Sequence, residues 1–129
     1  MKINHIGIWT NQLEEMKMFY FIFFNGKSNE KYVNPAKGFE SYFIRFGNNV
    51  AIEIMRKTTI KNNRNHPQEE YIGLAHISFS LGSREAVNIL TEQIRRAGYP
   101  VVSEPRVTGD GYYESVILDP DNNRIEIMA

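Results

Sequence analysis

A chain of 129 residues is the size of one ordinary domain or of two small units sharing a fold. With 42% hydrophobic and 23% charged residues it is globular rather than a disordered tail. Fifteen basic residues balance fifteen acidic ones, which excludes a basic field for nucleic acid or an anionic membrane, and the absence of cysteine excludes disulfides, thiolate metal sites and a cysteine nucleophile.

Any bound metal must therefore rest on imidazole and carboxylate. Met1-Lys2-Ile3-Asn4-His5 runs straight into an alternating pattern with no apolar signal stretch, and the densest apolar run, Met18 to Phe24, is too short to span a bilayer. A cytoplasmic protein is expected.

Residues 3–9 alternate as a strand. Asn11 with Glu14 three positions later reads as a capping box, after which Leu13, Met16, Phe19/Tyr20 and Phe23 recur at helical spacing. Gly26 is expected to end this helix at positive φ. Strands follow at roughly 27–33, 39–46 and 50–56, with Gly47-Asn48-Asn49 as the turn before the last. Residues 57–73 are polar and aperiodic and read as a linker, in which His66 beside Pro67 is a solvated loop histidine. A second helix is expected from Ser83, presenting Val87, Leu90 and Ile94 and ending at Gly98. Strands are then expected at 99–104, 112–118 and 124–128, with Asp121-Asn122-Asn123 as the final turn.

The two halves repeat one another. Asn4-His5-Ile6-Gly7-Ile8 matches Ala75-His76-Ile77-Ser78-Phe79, Phe39-Glu40-Ser41-Tyr42-Phe43 matches Tyr113-Glu114-Ser115-Val116-Ile117, and Ala51-Ile52-Glu53-Ile54-Met55 matches Arg124-Ile125-Glu126-Ile127-Met128. The offsets are 71 residues from His5 to His76, 74 from Glu40 to Glu114 and 73 from Glu53 to Glu126. Three short matches in one order at nearly constant offset imply duplication of a βαβββ unit. The fold class is then α+β: a single domain over 1–129 made of modules at 1–56 and 74–129 joined by the linker 57–73.

Alternate side chains of a strand point to opposite faces. Ile6 and Ile8, Ile52 and Ile54, Ile77 and Phe79, and Ile125 and Ile127 form aliphatic sets that must meet the apolar stripes of the helices. His5, Glu53, His76 and Glu126 therefore lie on the sheet face away from the helices, together with Trp9, Met55 and Met128. Antiparallel sheets commonly keep one wet face, so no single carboxylate there needs a function. Two imidazoles and two carboxylates at matching positions of both modules do form a borderline-to-hard metal set. Glu40 and Glu114 are repeat mates that could face the same side and touch substrate, with Ser41 and Ser115 opposite, although cross-strand pairing with lysine or arginine competes with that reading.

The strand His5-Ile6-Gly7-Ile8 before a helix with Phe19-Tyr20, the strand Ala75-His76-Ile77-Ser78-Phe79, and the run Leu118-Asp119-Pro120-Asp121-Asn122-Asn123-Arg124-Ile125-Glu126 resemble the vicinal oxygen chelate superfamily of glyoxalases, bleomycin-resistance proteins and dioxygenases. The resemblance covers essentially the whole chain. It implies a curved, cup-like mixed sheet with the helices on its outer face. It also implies one divalent metal ion, Ni, Zn, Co or Mn with Fe behind them, held by His5, Glu53, His76 and Glu126, and a homodimer.

What the resemblance further implies is a lactoylglutathione lyase-like lyase or isomerase. Its small substrate carries vicinal oxygens and passes through an enediolate-type intermediate, with Glu126 as the catalytic base. Trp9 stands where such lyases carry an arginine that helps hold glutathione, and an indole cannot replace a guanidinium. A non-catalytic, bleomycin-type binding protein of the same fold is the alternative. A third reading makes the polar face a dimer interface with no site.

Overall fold

The computed structural model describes residues 1–47 and 50–129. The chain divides into two compact units, Met1–Asn63 and Arg64–Ala129, and the division falls inside the aperiodic stretch 57–73. The α+β class expected from the repeat is what the described residues show: two α-helices and nine strands in two mixed sheets.

In the first unit the order is β1 (His5–Trp9), α1 (Leu13–Phe24), β2 (Lys27–Ser28), β3 (Tyr32–Asn34), a 3-10 turn at Pro35–Lys37, β4 (Phe39–Arg45) and β5 (Ala51–Lys57). The sheet runs β1-β5-β4-β2, with β3 also on β4. β1 is parallel to β5 and the other pairs are antiparallel. α1 packs on β4 and β5. Leu13, Met16, Phe19 and Tyr20 are buried there with Tyr42, Ile44, Ile52 and Ile54.

Two local expectations for this unit change. The capping box does not form: Gln12 is the N-cap and its side chain makes no capping bond, while the Asn11 amide donates to Asn62 Oδ1 at 3.1 Å. The Gln12 N–H instead bonds Thr10 Oγ1 at 2.8 Å. At the other end Asn25, not Gly26, is the left-handed residue, at φ 53°. Gly26 serves close approach, since a Cβ there would lie 2.6 Å from Ile44 Cγ2 and 2.9 Å from Phe46 Cε1. The strand expected at 27–33 is two short pieces, because the Phe43 N–H bonds the Asn29 side chain at 2.8 Å rather than a backbone carbonyl. Gly47 has φ 61°, as a turn requires, but Asn48 and Asn49 of the expected turn lie outside the described residues.

The second unit holds β6 (Ile77–Ser80), α2 (Arg84–Arg96), β7 (Val101–Val107), β8 (Tyr113–Leu118) and β9 (Arg124–Met128), in sheet order β6-β9-β8-β7. Ser83 caps α2 by accepting from the Ala86 N–H at 3.1 Å. Val87, Leu90, Thr91 and Ile94 are buried with Ser115, Ile117, Ile125 and Ile127. Ser115 tolerates burial because its hydroxyl meets Thr91 Oγ1 at 2.6 Å. β7 runs three residues past its expected end, over Pro105. That is possible because β7 is an edge strand with register shifts on either side of Ser103. In the last turn Asp119 Oδ1 accepts from the Asp121 and Asn123 N–H groups at 3.0 and 2.9 Å, and Asn122 takes φ 64°.

Candidate functional site

Register assigns the faces directly. In the first sheet Gly7, Glu53 and Phe43 form one row, with Trp9, Met55 and Ser41 in the next. In the second, Ser78, Glu126 and Val116 form one row, with Ser80, Met128 and Glu114 in the next. Glu53 and Glu126 thus project from central strands on the face opposite their helices, with Trp9, Met55 and Met128 on the same sides as their glutamates.

Each unit pairs one histidine with one glutamate. His5 Nε2 lies 3.7 Å from Glu53 Oε2, and His76 Nε2 lies 3.3 Å from Glu126 Oε2. The histidines are partly exposed at strand ends, while the glutamate side chains are only 16% and 13% exposed. His5 is oriented on both sides: Nδ1 meets Asn4 Oδ1 at 2.9 Å, and the ring stands edge-on to Phe43 with centroids 5.2 Å apart. Its Nε2 is thereby the nitrogen turned toward the carboxylate.

Sequence reasoning placed Met128 on the Glu126 face and Glu114 as a candidate for it, but missed the hydroxyl that tethers the carboxylate. The Ser78 hydroxyl donates to Glu126 Oε1 at 2.8 Å and also lies 3.2 Å from Met128 Sδ. Burial pushes the Glu114 carboxyl above its usual range, and the neighbouring Glu126 charge adds to the rise. Arg106 Nη2, 3.5 Å from Glu114 Oε1, works in the opposite direction. Alternation along β6 places Ser78 beside Glu126, and that signal was available in the sequence.

Glu40 requires a correction. It stands opposite Arg56 in the row between Tyr42 and the chain's 3-10 turn, on the helix-covered side, and its oxygens meet Arg56 at 3.3 Å and Lys31 at 4.0 Å. Glu114, opposite Met128, does share a face with Glu126. The pairing Glu40 with Glu114 fails because the structural repeat runs at an offset of 73: Ser41 and Glu114 both oppose the methionine two residues beyond the site glutamate. A slip of one residue exchanges the two faces of a strand. Ser41 accordingly sits on the Glu53 side and Ser115 on the helix side.

A shared cation fits this chemistry. Separations of 3.3 and 3.7 Å are what two donors present when each lies ~2.1 Å from one ion, as nitrogen and oxygen ligands of zinc-like metals do. Among the described residues no group of three or more His, Asp or Glu side chains stands close enough to hold a metal, so each unit by itself offers two donors. Among the described residues no helix is long and apolar enough to cross a membrane.

The family model for the Glyoxalase/Bleomycin resistance protein/Dioxygenase superfamily matches residues 2–127. The chain belongs to that superfamily. The uncharacterized protein YqjT of Bacillus subtilis is 25% identical over 130 residues, covering 98% of each chain. A glyoxalase/bleomycin resistance protein/dioxygenase domain from Frankia has a TM-score of 0.81 at 16% identity, covering 99% of this chain and 96% of its own. A glyoxalase I variant from Zea mays gives 0.79 at 22%, covering 98% of this chain and 44% of the maize protein. The Leishmania major glyoxalase I gives 0.78 at 18%, covering 99% and 86%. This superfamily member therefore spans less than half of the maize protein, and at these identities the likeness to the solved structures is one of fold.

Proposed function

We propose that this protein is a metal-dependent lyase or isomerase of the glyoxalase type, acting on a small substrate with two adjacent oxygens through an enediolate-type intermediate. The observation that carries the reading is the duplicated pair: His5 with Glu53 and His76 with Glu126, at equivalent strand positions on the helix-free face of each unit. Together they would hold one divalent ion, Ni, Zn, Co or Mn before Fe, whether the two pairs come from one chain or from two chains of a homodimer.

Such an ion supplies Lewis acidity for a carbonyl whose neighbouring oxygen also binds. Glu126 is the base for the proton α to that carbonyl. Ser78 supports the role by holding Oε1, which leaves Oε2 on the His76 side. Glu114 stands on the same face near Glu126, and burial together with that charge raises its carboxyl above the usual range. Met128 and Met55 keep the surroundings of the glutamates partly apolar, which limits competing water.

Elemental analysis of wild type and His5→Ala/His76→Ala tests the site. About one tightly held divalent ion per chain, lost in the variant, supports it and justifies a screen of α-hydroxycarbonyl, thiohemiacetal and acyl-CoA substrates. Glu126→Gln should then abolish turnover. No ion after incubation with Ni²⁺, Zn²⁺, Co²⁺, Mn²⁺ or Fe²⁺ overturns the reading and favours a non-catalytic small-molecule binding protein, which the half-exposed Trp9 on the same face would suit.

A further inference from the structure

Three aromatic side chains meet on the Glu53 face of the first unit, toward the Lys57 end of β5. Trp9 and Phe39 stand at 90° with centroids 6.1 Å apart, and Tyr32 meets Phe39 at 6.1 Å and 60°. Register explains the gathering. Trp9, Met55, Ser41 and Tyr32 fall in one row across four strands, and Lys57, Phe39 and Asn34 fall in the next. Between Met55 and Tyr32 the row carries only the small, buried Ser41. Trp9 is nevertheless 49% exposed and Tyr32 52% exposed, although each packs against Phe39.

Two rings at a right angle make a corner. A third flat ring entering it stacks on one wall and presents its edge to the other, the two arrangements that aromatic quadrupoles favour. A saturated ring or an alkyl chain gains neither. Charge then limits the guest further. Lys57 follows Met55 by two residues on the same face, directly across from Phe39. Among the described residues Lys57 makes no ion pair, and its strand position sets it at the Phe39 end of the corner. Adjacent strands lie about 4.8 Å apart, so the ammonium reaches a substituent on a ring held against Phe39.

We infer that this corner, Trp9 and Phe39 with Tyr32 behind and Lys57 at the rim, binds a planar aromatic ring carrying a carboxylate. The site lies within the first unit and does not depend on any metal. If the functional reading above also holds, it marks the substrate as an aromatic acid rather than a peptide thiol. The corner begins one row, ~7 Å, along β1 and β5 from Gly7 and Glu53. The carboxylate held by Lys57 then points away from Glu53, and the opposite edge of the ring is the part turned toward Gly7 and Glu53.

Trp9 is the one tryptophan in the chain, so intrinsic fluorescence reports on the corner itself. Full-length protein is titrated with benzoate, benzamide and cyclohexanecarboxylate, with elemental metal content recorded in parallel. Expected is a saturable change with benzoate and an affinity about fivefold lower for benzamide, which lacks the charge. For cyclohexanecarboxylate, which lacks the ring, the expected loss is up to about tenfold. Lys57→Gln should remove the preference for benzoate over benzamide, and Phe39→Leu the preference over cyclohexanecarboxylate, both with metal content unchanged. Equal affinities for the three ligands, no saturable change, or a benzoate preference that survives Lys57→Gln overturns the inference. Lost metal binding with the corner intact would instead strike only the functional reading.

Discussion

The Ser78 hydroxyl donates to Glu126 Oε1, and at the position of the first unit that matches Ser78 stands Gly7, beside Glu53. Duplicated strands therefore hold their glutamates differently: one is tethered by a neighbouring hydroxyl and the other is not. Partners of this kind orient ligands, and their loss typically weakens metal affinity or activity 10- to 100-fold. Ser78→Ala should weaken divalent-metal binding by about tenfold in a competition titration. Gly7→Ser is the converse test. Its Cβ would meet the flexible Met55 methyl at 2.9 Å, which can move, and the new hydroxyl could tether Glu53. Unchanged metal affinity in Ser78→Ala would mean that His76 alone fixes the carboxylate.

The raised Glu114 carboxyl sets the sign of a pH dependence. Burial first, and the Glu126 charge second, raise its carboxyl above the reference value of 4.5. The stability tied to a raised carboxyl is fully present below the unfolded value and is lost as pH rises through the folded one. On metal-stripped protein, Glu114→Gln should match wild type in thermal midpoint below that range. It should become the more stable of the two as pH climbs toward 7. A gap that opens in favour of wild type would show that the Arg106 ion pair outweighs burial and repulsion.

The end of α1 separates two roles that glycine can play. Gly26→Ala forces a methyl against Ile44 and Phe46 and should cost about 1–3 kcal/mol in urea unfolding. Asn25→Gly relaxes a left-handed residue at φ 53° and should be neutral or slightly stabilising. The reverse order would mean that Ile44 and Phe46 repack without loss.

Thr91 and Ser115 form a buried hydroxyl pair between α2 and β8, and Thr91 Oγ1 also meets the Val87 carbonyl at 2.7 Å. Ser115→Ala should cost about 1–3 kcal/mol, since it removes one partner from a closed site. The double variant Thr91→Val/Ser115→Ala should recover much of that loss, because no hydroxyl is then left to satisfy. A double-mutant cycle in denaturant measures the coupling; strict additivity would show that the pair contributes nothing jointly.

Much of this was legible in the sequence for one reason: strand alternation is strict. His5, Glu53 and Glu126 could be assigned to faces because their neighbours Ile6, Ile52, Ile54, Ile125 and Ile127 are uniformly aliphatic. Glu40 was misassigned because the dipeptide Glu-Ser recurs at offset 74 while the core positions Ile44 and Ile117 recur at 73. Identity of letters aligned the wrong faces where burial would have aligned the right ones. Other features lay beyond the sequence because they depend on side chains intruding on the backbone. Asn29 breaks one strand in two, Thr10 replaces a capping box, and the perpendicular stacking of Trp9 on Phe39 depends on rotamers that periodicity does not fix.

The parallel pairing of β1 with β5 and of β6 with β9 also bears on how the protein assembles. His5 and Glu53 are 48 residues apart in the chain, His76 and Glu126 are 50 apart, and each pair bridges the first and last strands of its unit. Contacts of such long range form late, after the entropy of closing the intervening loop has been overcome. No early, locally ordered fragment can bring the two together, so a partly synthesised or half-folded unit does not hold its histidine beside its glutamate. Metal capture would then report completed folding and, through linkage, reinforce it.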